Sequence, residues 1–377
     1  MRKILGTALI SCFIILSSVG AQADLVQERI LLTFIPNIQF APFYLGIADG
    51  HFARQGFAVT LEHLQEPDVV DLVAAGHADF GIVSGEQVIL ARSKGRDVVY
   101  VYEWFQEYPV GIVMVGDEGG VDLENLTDMT VGIPGRFGAS YSGMTTLLQS
   151  AGLSEDDIEL NEIGFNAPDV FCLGAVDAVV VYVNNEPLQI RDRLATGDCG
   201  DVEGITVVSV ASRVDLVSNG LIVSADLAGR DPDKVQRLVN GLDSALKATI
   251  NNPANAYLAS GTFVETLPGD PESRTLLLEL AEQQAAFLET DPTREEIADS
   301  RTDMYETLVE SLGSDDLTQF EVLLRTIELW DADMLGQSDL SSWVAMSDTL
   351  RLMGLLSDDA SDLSASFSNQ FVAGIRE

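Results

Sequence analysis

Positive charge and histidine are scarce in this chain of 377 residues. It has 21 lysines and arginines against 59 aspartates and glutamates, which gives a formal net charge of −38. So acidic a chain is repelled by nucleic acid and by anionic membrane surfaces, and we expect neither as a partner. The only histidines are His51, His63 and His77, too few for a multi-histidine metal site. We therefore predict no metal and no cofactor.

Cysteine is equally rare, with Cys12, Cys172 and Cys199. No CxxC pair is present, and no histidine lies near Cys172 or Cys199, which argues against a zinc site or a redox pair. These two residues either form a disulfide in an oxidising compartment or remain separate buried thiols. The sequence leaves both possibilities open.

The amino-terminal segment has the pattern of an export signal. Arg2 and Lys3 precede an apolar run from Ile4 to Val19, and Ala21–Ala23 is a small-x-small cleavage site. We predict cleavage after Ala23, with residues 1–23 removed, and a periplasmic mature protein. The alternative is a lipoprotein box at Leu9–Cys12, but cleavage there would leave an apolar mature end.

Apolar runs alternate with amphipathic stretches from residue 28 onward. "RILLTFI" and "VVYVYEWF" are typical of strands, and "APFYLGIADGHFARQG" is typical of a helix that ends at glycine. This alternation predicts an α/β protein with mostly parallel sheets, in two successive sets. After Asp231 the pattern indicates helices only.

Two segments have the same pattern, "AAGHADFGIVSGEQVILAR" and "CLGAVDAVVVYVNNEPLQI". Each predicts a helix that ends near glycine, an apolar strand, and a polar loop that contains a glutamate. Ligands of open α/β sheets bind outside the carboxyl ends of strands, where such loops lie. We therefore expect Glu86 and Glu186 to face a ligand from two sides, although a helix-capping role suits Glu86 equally well.

Aromatic residues cluster near two predicted strand ends. Phe40, Phe43 and Tyr44 share one helical face, and Trp104 and Tyr108 lie in a polar loop after a strand. We expect Phe43 to pack in the core and the other four to line a cleft. Packing of the first group on the sheet is the alternative. Flat aromatic rings suit a flat ligand, because stacked pairs add about 0.5–1.5 kcal/mol beyond area burial.

A glycine-spaced loop, "GIPGRFGASYSG", leads into a predicted helix at Gly132–Gly143. Backbone N–H groups at a helix start attract acceptor oxygens, so this loop is a candidate cleft wall. No GK[ST] follows it, which excludes a Walker loop. Arg136, Phe137 and Tyr141 are its candidate contact residues, and Arg136 faces either ligand or solvent.

Four segments occur in a familiar order: "PNIQFAPFYLGIADGHFARQGFAVTL", "LVAAGHADFGIVSGEQVILARSKGRDVVYV", "TVGIPGRFGASYSG" and "GAVDAVVVYVNNEP". Over residues 28–265 the chain resembles type II periplasmic substrate-binding proteins of ABC importers. The resemblance implies a two-lobed α/β periplasmic binding protein type II fold whose lobes close on a ligand, here with a helical C-terminal tail. Lobe 1 would hold residues 24–113 and 217–377, and lobe 2 residues 114–216.

Within that family the chain is similar to the branch that binds pyrimidine precursors of thiamine, riboflavin, alkanesulfonates and nitrate. The resemblance implies that Asn37 reaches into the cleft and that Glu186 pairs with an aminopyrimidine edge. Phe34 and Phe40 depart from the pattern, because tryptophan and histidine are common there. The expected ligand-binding residues are Asn37, Phe40, Tyr44, Glu86, Trp104, Tyr108, Arg136, Phe137, Tyr141, Asn185, Glu186 and Asn219.

The resulting functional expectation is a monomeric binding protein that delivers a small aromatic nitrogen heterocycle to an ABC permease with its ATPase. A thiamine pyrimidine precursor is the leading ligand and riboflavin the alternative. A sensor module that serves a membrane receptor also remains open. The eukaryotic pyrimidine synthase resembles the same fold, but its cysteine cluster has no counterpart in Asp215–Val223. We therefore predict a binding protein and no enzyme.

Overall fold

The computed structural model describes residues 25–116, 122–265, 267, 270–312, 317–357 and 363–375. The predicted signal segment and its alternative cleavage site lie outside these residues. The strands are β1 (Val26–Thr33), β2 (Phe57–Leu64), β3 (Phe80–Ser84), β4 (Val98–Glu103), β5 (Val110–Val115), β6 (Thr130–Ile133), β7 (Glu159–Glu162), β8 (Ala178–Tyr182), β9 (Ile205–Ser209) and β10 (Asn219–Ser224).

These strands form two five-stranded sheets. The first has the order β2-β1-β3-β10-β4, with β10 antiparallel to both of its neighbours. The second has the order β7-β6-β8-β5-β9, with β5 antiparallel to both of its neighbours. The remaining pairs are parallel, as the alternation of strands and helices predicts. The first sheet with the helices packed on it is called the first lobe, and the second sheet with the helices packed on it is called the second lobe.

The helices follow the predicted pattern. They are α1 (Ala41–Ala48), α2 (His51–Arg54), α3 (Glu66–Ala74), α4 (Gly85–Ser93), α5 (Gly138–Ser150), α6 (Ala167–Cys172), α7 (Glu186–Thr196), α8 (Ala225–Arg230), α9 (Pro232–Asn251), α10 (Pro253–Ser260), α11 (Pro271–Leu288), α12 (Arg294–Leu312), α13 (Thr318–Trp330), α14 (Leu340–Leu352) and α15 (Gln370–Ala373). The part of the chain that the structure describes after β10 has no named strand, so the predicted helical C-terminal region is confirmed.

Local sequence explains the central strands and several helix starts. β3 is buried at every position and β8 at all but its last, because helices cover both faces of a parallel sheet. Proline occupies the first turn of α3, α6 and α7, where its missing N–H costs no hydrogen bond. Each of these helices begins within a few residues of the carboxyl end of a strand.

The chain crosses between the sheets twice, in residues 104–109 and 210–218. β5 lies wholly in the second sheet, and it spans the predicted division at residues 113 and 114. The second crossing contains the other predicted division, at 216 and 217. The division of the chain into lobes at those residues stays a prediction.

The C-terminal helices contact both lobes. In the first lobe, α9 and α10 pack on α1. Helix α13 contacts the short 3-10 turn Ile38–Phe40 and also α7 of the second lobe, and α14 contacts α4 and α5. This region is therefore a bridge between the two lobes.

Cys172 and Cys199 form a disulfide in the second lobe, which decides the pairing that the sequence left open. The bond joins the end of α6 to the segment that follows α7. A search of the described helices for a long apolar stretch found none that could cross a membrane.

Candidate functional site

A cleft lies between the two sheets, and its space is about 860 Å³ with the open mouth included. Each lobe supplies residues from strand ends and helix starts. Its lining residues are Thr33, Phe34, Gln39, Phe40, Gln65, Glu66, Trp104, Phe105, Pro134, Phe137, Gly138, Ala139, Ser140, Gly164, Phe165, Ala167, Val180, Val181, Tyr182, Glu186 and Asn219.

Phe34 stands directly after β1 with a φ of 66°, a conformation that is uncommon for a bulky residue. Its ring meets Phe165 of the second lobe edge to face, with centroids 4.6 Å apart. The backbone oxygen of Phe34 lies 3.1 Å from Nδ1 of His63. Backbone strain of this kind concentrates at ligand sites, and here it directs an aromatic ring across the cleft.

Aromatic rings continue from the first wall of the cleft into the C-terminal region. Phe40 and Trp104 lie 5.5 Å apart with their planes tilted by 31°, and Trp104 stacks on Trp330 of α13 at 5.7 Å. Trp104 is 2 % exposed, and among the described residues its Nε1–H has no hydrogen-bond partner. The C-terminal region thus supports the cleft, and one buried donor remains at its wall.

The second wall combines a helix start with a strand end. Helix α5 begins at Gly138, directly after Phe137 in the chain, and both residues line the cleft. The hydroxyl of Tyr182 donates a hydrogen bond to Oδ1 of Asn219 at 3.1 Å, which joins β8 of the second lobe to β10 of the first. Polar atoms from both lobes therefore meet within one cleft.

Two glutamates face the cleft from opposite walls. Glu66 is the first residue of α3 and Glu186 the first residue of α7, and each precedes a proline. The Glu186 carboxylate accepts hydrogen bonds from the backbone N–H of Tyr182 at 2.9 Å and from Nδ2 of Asn185 at 3.2 Å. A carboxylate is favoured at a helix start, because the helix dipole is positive there.

Burial dominates the protonation of these carboxyls. It raises the pKa of Glu66 and of Glu186 to about 7 each, although hydrogen bonds oppose the shift. Burial and then the charge of Glu66 raise the pKa of Glu86 to about 8. No ion pair within the described residues involves these three groups. The remaining acceptor capacity of Glu66 and Glu186, which line the cleft, suits N–H or O–H donors of a ligand.

Five of the predicted contact residues line this cleft: Phe40, Trp104, Phe137, Glu186 and Asn219. They come from α7, β10, the helix start of α5 and the two loops that follow β1 and β4. The structure brings them together, and their contact with a ligand stays a prediction.

Asn37 and Tyr44 lie outside the cleft lining, and their predicted contact with a ligand stays a prediction. The side chain of Asn37 caps the 3-10 turn, since its Oδ1 accepts from the backbone N–H of Gln39 at 2.7 Å. Tyr44 is buried and stacks on Phe263 at 4.7 Å. Both side chains are therefore used in the support of the first wall.

Glu86, Tyr108 and Asn185 also lie behind the lining of the cleft, and their contact with a ligand stays a prediction. Glu86 is buried, and its Oε1 lies against the hydroxyl oxygen of Ser84, whose one O–H donates to Glu66. The hydroxyl of Tyr108 donates to the backbone oxygen of Ala139 at 2.9 Å. Asn185 binds the carboxylate of Glu186, so it positions a lining residue from behind.

Arg136 and Tyr141 point away from the cleft. Arg136 pairs with Glu155 at 2.8 Å and with Glu162 at 2.7 Å, at the surface of the second lobe. The hydroxyl of Tyr141 donates to Glu155 at 2.8 Å. Acidic neighbours on the same lobe attract these side chains. Arg136 and Phe137 are adjacent in the loop, and their side chains point in opposite directions, Phe137 into the cleft and Arg136 outward.

Sequence reasoning missed Glu66, Phe165 and Tyr182 as lining residues. A signal for Glu66 was present, because "QEP" at 65–67 matches "NEP" at 185–187 just after a strand. Glu86 follows β3 as Glu186 follows β8, yet its side chain lies behind Ser84. Whether the glutamate after a strand reaches the cleft therefore depends on the direction in which the first turn of the following helix points. Among the described residues, no group of three or more His, Cys, Asp or Glu side chains is placed to hold a metal ion.

A family model with the description "NMT1/THI5 like" matches residues 37–256, more than half of the chain. The riboflavin-binding protein RibY of Chloroflexus aurantiacus is 28 % identical over 363 residues, which cover 94 % of this chain and 88 % of RibY. The formylaminopyrimidine-binding protein of Halalkalibacterium halodurans is 31 % identical over 161 residues, which cover 42 % of this chain and 48 % of that protein.

The alkanesulfonate-binding protein SsuA from Xanthomonas axonopodis pv. citri, solved with bound MOPS, has a similar structure. The TM-score is 0.62 at 14 % identity, over 92 % of this chain and 99 % of SsuA. At that identity the likeness concerns the fold alone. The predicted two-lobed fold of type II periplasmic binding proteins is confirmed.

Proposed function

The chain belongs to the NMT1/THI5-like family, and from that premise we propose that it is the substrate-binding component of an ABC importer that captures riboflavin or a close flavin relative. The mature protein would act in the periplasm and deliver its ligand to a permease with its ATPase. The relatives reported above are named as binding proteins, which supports binding over catalysis.

The aromatic lining of the cleft carries this proposal. Seven aromatic side chains from both lobes line it: Phe34, Phe40, Trp104, Phe105, Phe137, Phe165 and Tyr182. Two or three rings are enough to cover a single pyrimidine ring, whereas a three-ring flavin has faces for more.

The polar lining suits the edge and side chain of a flavin. Gln39 and Asn219 offer amide groups that both donate and accept, and Glu66 and Glu186 offer carboxyl oxygens. The imide edge of a flavin presents one N–H donor between two carbonyl acceptors, and its sugar chain presents hydroxyls. Similarity to RibY over 94 % of this chain, the C-terminal helices included, adds support.

A formylaminopyrimidine is the second candidate ligand. The observation that favours it is the carboxylate of Glu186, which Asn185 and Tyr182 hold at the cleft wall. A carboxylate in this setting suits the paired donors of an aminopyrimidine. The relative of that name supports it over 42 % of this chain.

Thermal-shift and titration experiments test the proposal with riboflavin, formylaminopyrimidine, an alkanesulfonate and nitrate. We expect riboflavin to raise the melting temperature, because a ligand at about 100 times its Kd stabilises by about 2.7 kcal/mol. Flavin fluorescence should fall on binding as its ring packs against the aromatic lining of the cleft. A shift with formylaminopyrimidine alone would favour the second candidate, and a shift with sulfonate or nitrate alone would contradict both.

A matched pair of variants tests the aromatic wall. Trp104→Phe should raise the Kd for riboflavin about threefold to tenfold, since an aromatic pair contributes about 0.5–1.5 kcal/mol. Trp343 is also fully buried but packs on Tyr100 and Phe367, away from the cleft lining. Trp343→Phe should leave the Kd unchanged. Equal effects of the two variants would remove Trp104 from the ligand contact.

A further inference from the structure

Glu66 belongs to the first lobe, but its carboxylate also touches the second. We infer that Glu66 is a latch: it caps the amino-terminal end of helix α5 from across the cleft, and this contact retains the bound ligand. The part of this inference that concerns retention rests on the proposed function. The capping contact itself can be tested without any ligand.

The first lobe holds the Glu66 side chain firmly. Its Oε1 accepts from the backbone N–H of Ser84 at 3.0 Å and from the Ser84 hydroxyl at 2.9 Å. Glu66 is 7 % exposed and begins α3, while Ser84 ends β3 of the same sheet. One carboxyl oxygen is thus fixed, and the other is directed at the opposite wall.

The second lobe presents a helix end that lacks a cap of its own. Helix α5 has 13 residues, packs on β5 and β8, and receives no side-chain hydrogen bond from Phe137 at its N-cap position. The first backbone N–H groups of a helix have no partner inside it. Oε2 of Glu66 lies against Gly138, and the adjacent backbone N–H of Ala139 lowers the pKa of the Glu66 carboxyl, so this carboxyl is placed to supply the missing acceptor.

Gly138 makes the close approach possible. A Cβ at this position would collide with Oε2 of Glu66, and the residue has a φ of 67°, which favours glycine. The missing side chain of Gly138 and its positive φ thus both accommodate the carboxyl group of Glu66 from the other lobe. A larger residue would separate the two walls.

The charges around Glu66 leave it few other favourable partners. Glu86 of α4, Tyr108 of the crossing segment and Tyr182 of β8 lie near enough to interact with it electrostatically. None of these groups is a cation. The positive end of α5 is therefore the favourable charge that the second lobe offers this carboxyl, in addition to the start of its own helix α3, and opening of the cleft would separate Glu66 from α5.

Hydrogen exchange tests the cap without ligand. We compare the amides in the first turn of α5 in wild type, in Glu66→Gln and in Asp68→Asn, an exposed residue of the same helix turn. Glutamine has one acceptor oxygen, which the two donors of Ser84 occupy, so its NH₂ group faces the donors of α5. We expect about tenfold faster exchange in Glu66→Gln, and exchange as in wild type in Asp68→Asn.

Gly138→Ala tests the same contact from the other lobe. We expect it to accelerate exchange in the same turn, and the double variant to add little, since both changes break one interaction. Unchanged protection in β8 would show that the variants are folded. If Glu66→Gln leaves exchange in the first turn of α5 at the wild-type rate, the latch is wrong.

Riboflavin binding kinetics then test retention. A contact that forms as the lobes close should act on dissociation, so Glu66→Gln should raise the dissociation rate about tenfold and leave the association rate within about twofold. Asp68→Asn should change neither rate. If Glu66→Gln changes the association rate by as large a factor as the dissociation rate, the latch is contradicted. If wild type does not bind riboflavin, the proposed function fails, and the exchange result still decides the cap.

Discussion

Buried carboxyls are the most unusual residues of this protein. Burial raises the pKa of Glu66 and Glu186 to about 7, and that of Glu86 and Glu103 to about 8. In a chain with few cations, desolvation is the first cause in each case. Hydrogen bonds from Ser84, Ser338 and the backbone only reduce the shift. These groups therefore take up protons near neutral pH.

The pH dependence of stability follows from the direction of these shifts. A carboxyl whose pKa is higher in the folded state than its ordinary 4.5 binds more protons when folded. Its contribution is fully present below about pH 4.5 and is lost as the pH rises through about 7 to 8. We expect the melting temperature to fall between about pH 5 and about pH 8.5. A melting temperature that rises across this range would contradict the assignment.

Glu186→Gln isolates one of these groups. The amide cannot ionise, so the variant should lose less stability than wild type over the same pH range. Glu159→Gln is the control, since Glu159 is an exposed residue of the same lobe. The Glu159→Gln curve should run parallel to that of wild type. If the two variants give the same curve, burial of Glu186 does not govern this effect.

At the scale of elements, the disulfide joins the end of α6 to the segment after α7, across 27 residues of sequence. Helix α7 begins with Glu186, so the bond restrains the helix that presents a cleft carboxyl. A crosslink over a loop of this length stabilises by about 3–4 kcal/mol in the chain-entropy model.

We expect Cys172→Ser with Cys199→Ser to lower the free energy of unfolding by about 3–4 kcal/mol, measured by urea titration. Mild reduction of wild type should have a similar effect, and it leaves the reduced cysteines in place as a control for the substitutions. No change under either treatment would show that the bond contributes little to stability.

The C-terminal helices contribute to the cleft through one buried junction. Nδ2 of Asn184 donates to Oε1 of Gln39 at 2.8 Å and to Oγ1 of Thr326 at 2.7 Å. These residues belong to the second lobe, the first lobe and α13, respectively. Together with Trp330 behind Trp104, this junction makes α13 part of the wall, although α13 lies far along the chain.

At the scale of the molecule, the net charge of −38 dominates. Like charges repel, and the repulsion is stronger in the compact state than in the unfolded chain. We expect the melting temperature to rise between about 0.05 M and about 0.5 M NaCl, as the Debye length shrinks. The same salt series near the isoelectric pH of about 4.1 is the control, since net charge vanishes there. A salt effect of equal size at both pH values would contradict repulsion as its cause.

Much of the architecture could be predicted because it depends on local patterns. Alternation of apolar strands with amphipathic helices indicated two sheets, and the absence of strands after Asp231 indicated the helical region. Phe40, Trp104 and Phe137 could be assigned to the cleft wall because they follow strand ends. Glu66 was missed because the choice between it and Glu86 depends on how each helix start is oriented.

The sequence by itself determined the strands, the helices, the acidic surface and the family pattern, since these follow from periodicity, composition and short segments. Only the tertiary structure decided that Cys172 pairs with Cys199, and that Arg136 turns outward while Phe137 turns inward. Only the tertiary structure brought Glu66 against Gly138, 72 positions away. Contacts between distant segments depend on how two lobes pack together, and no local pattern encodes that distance.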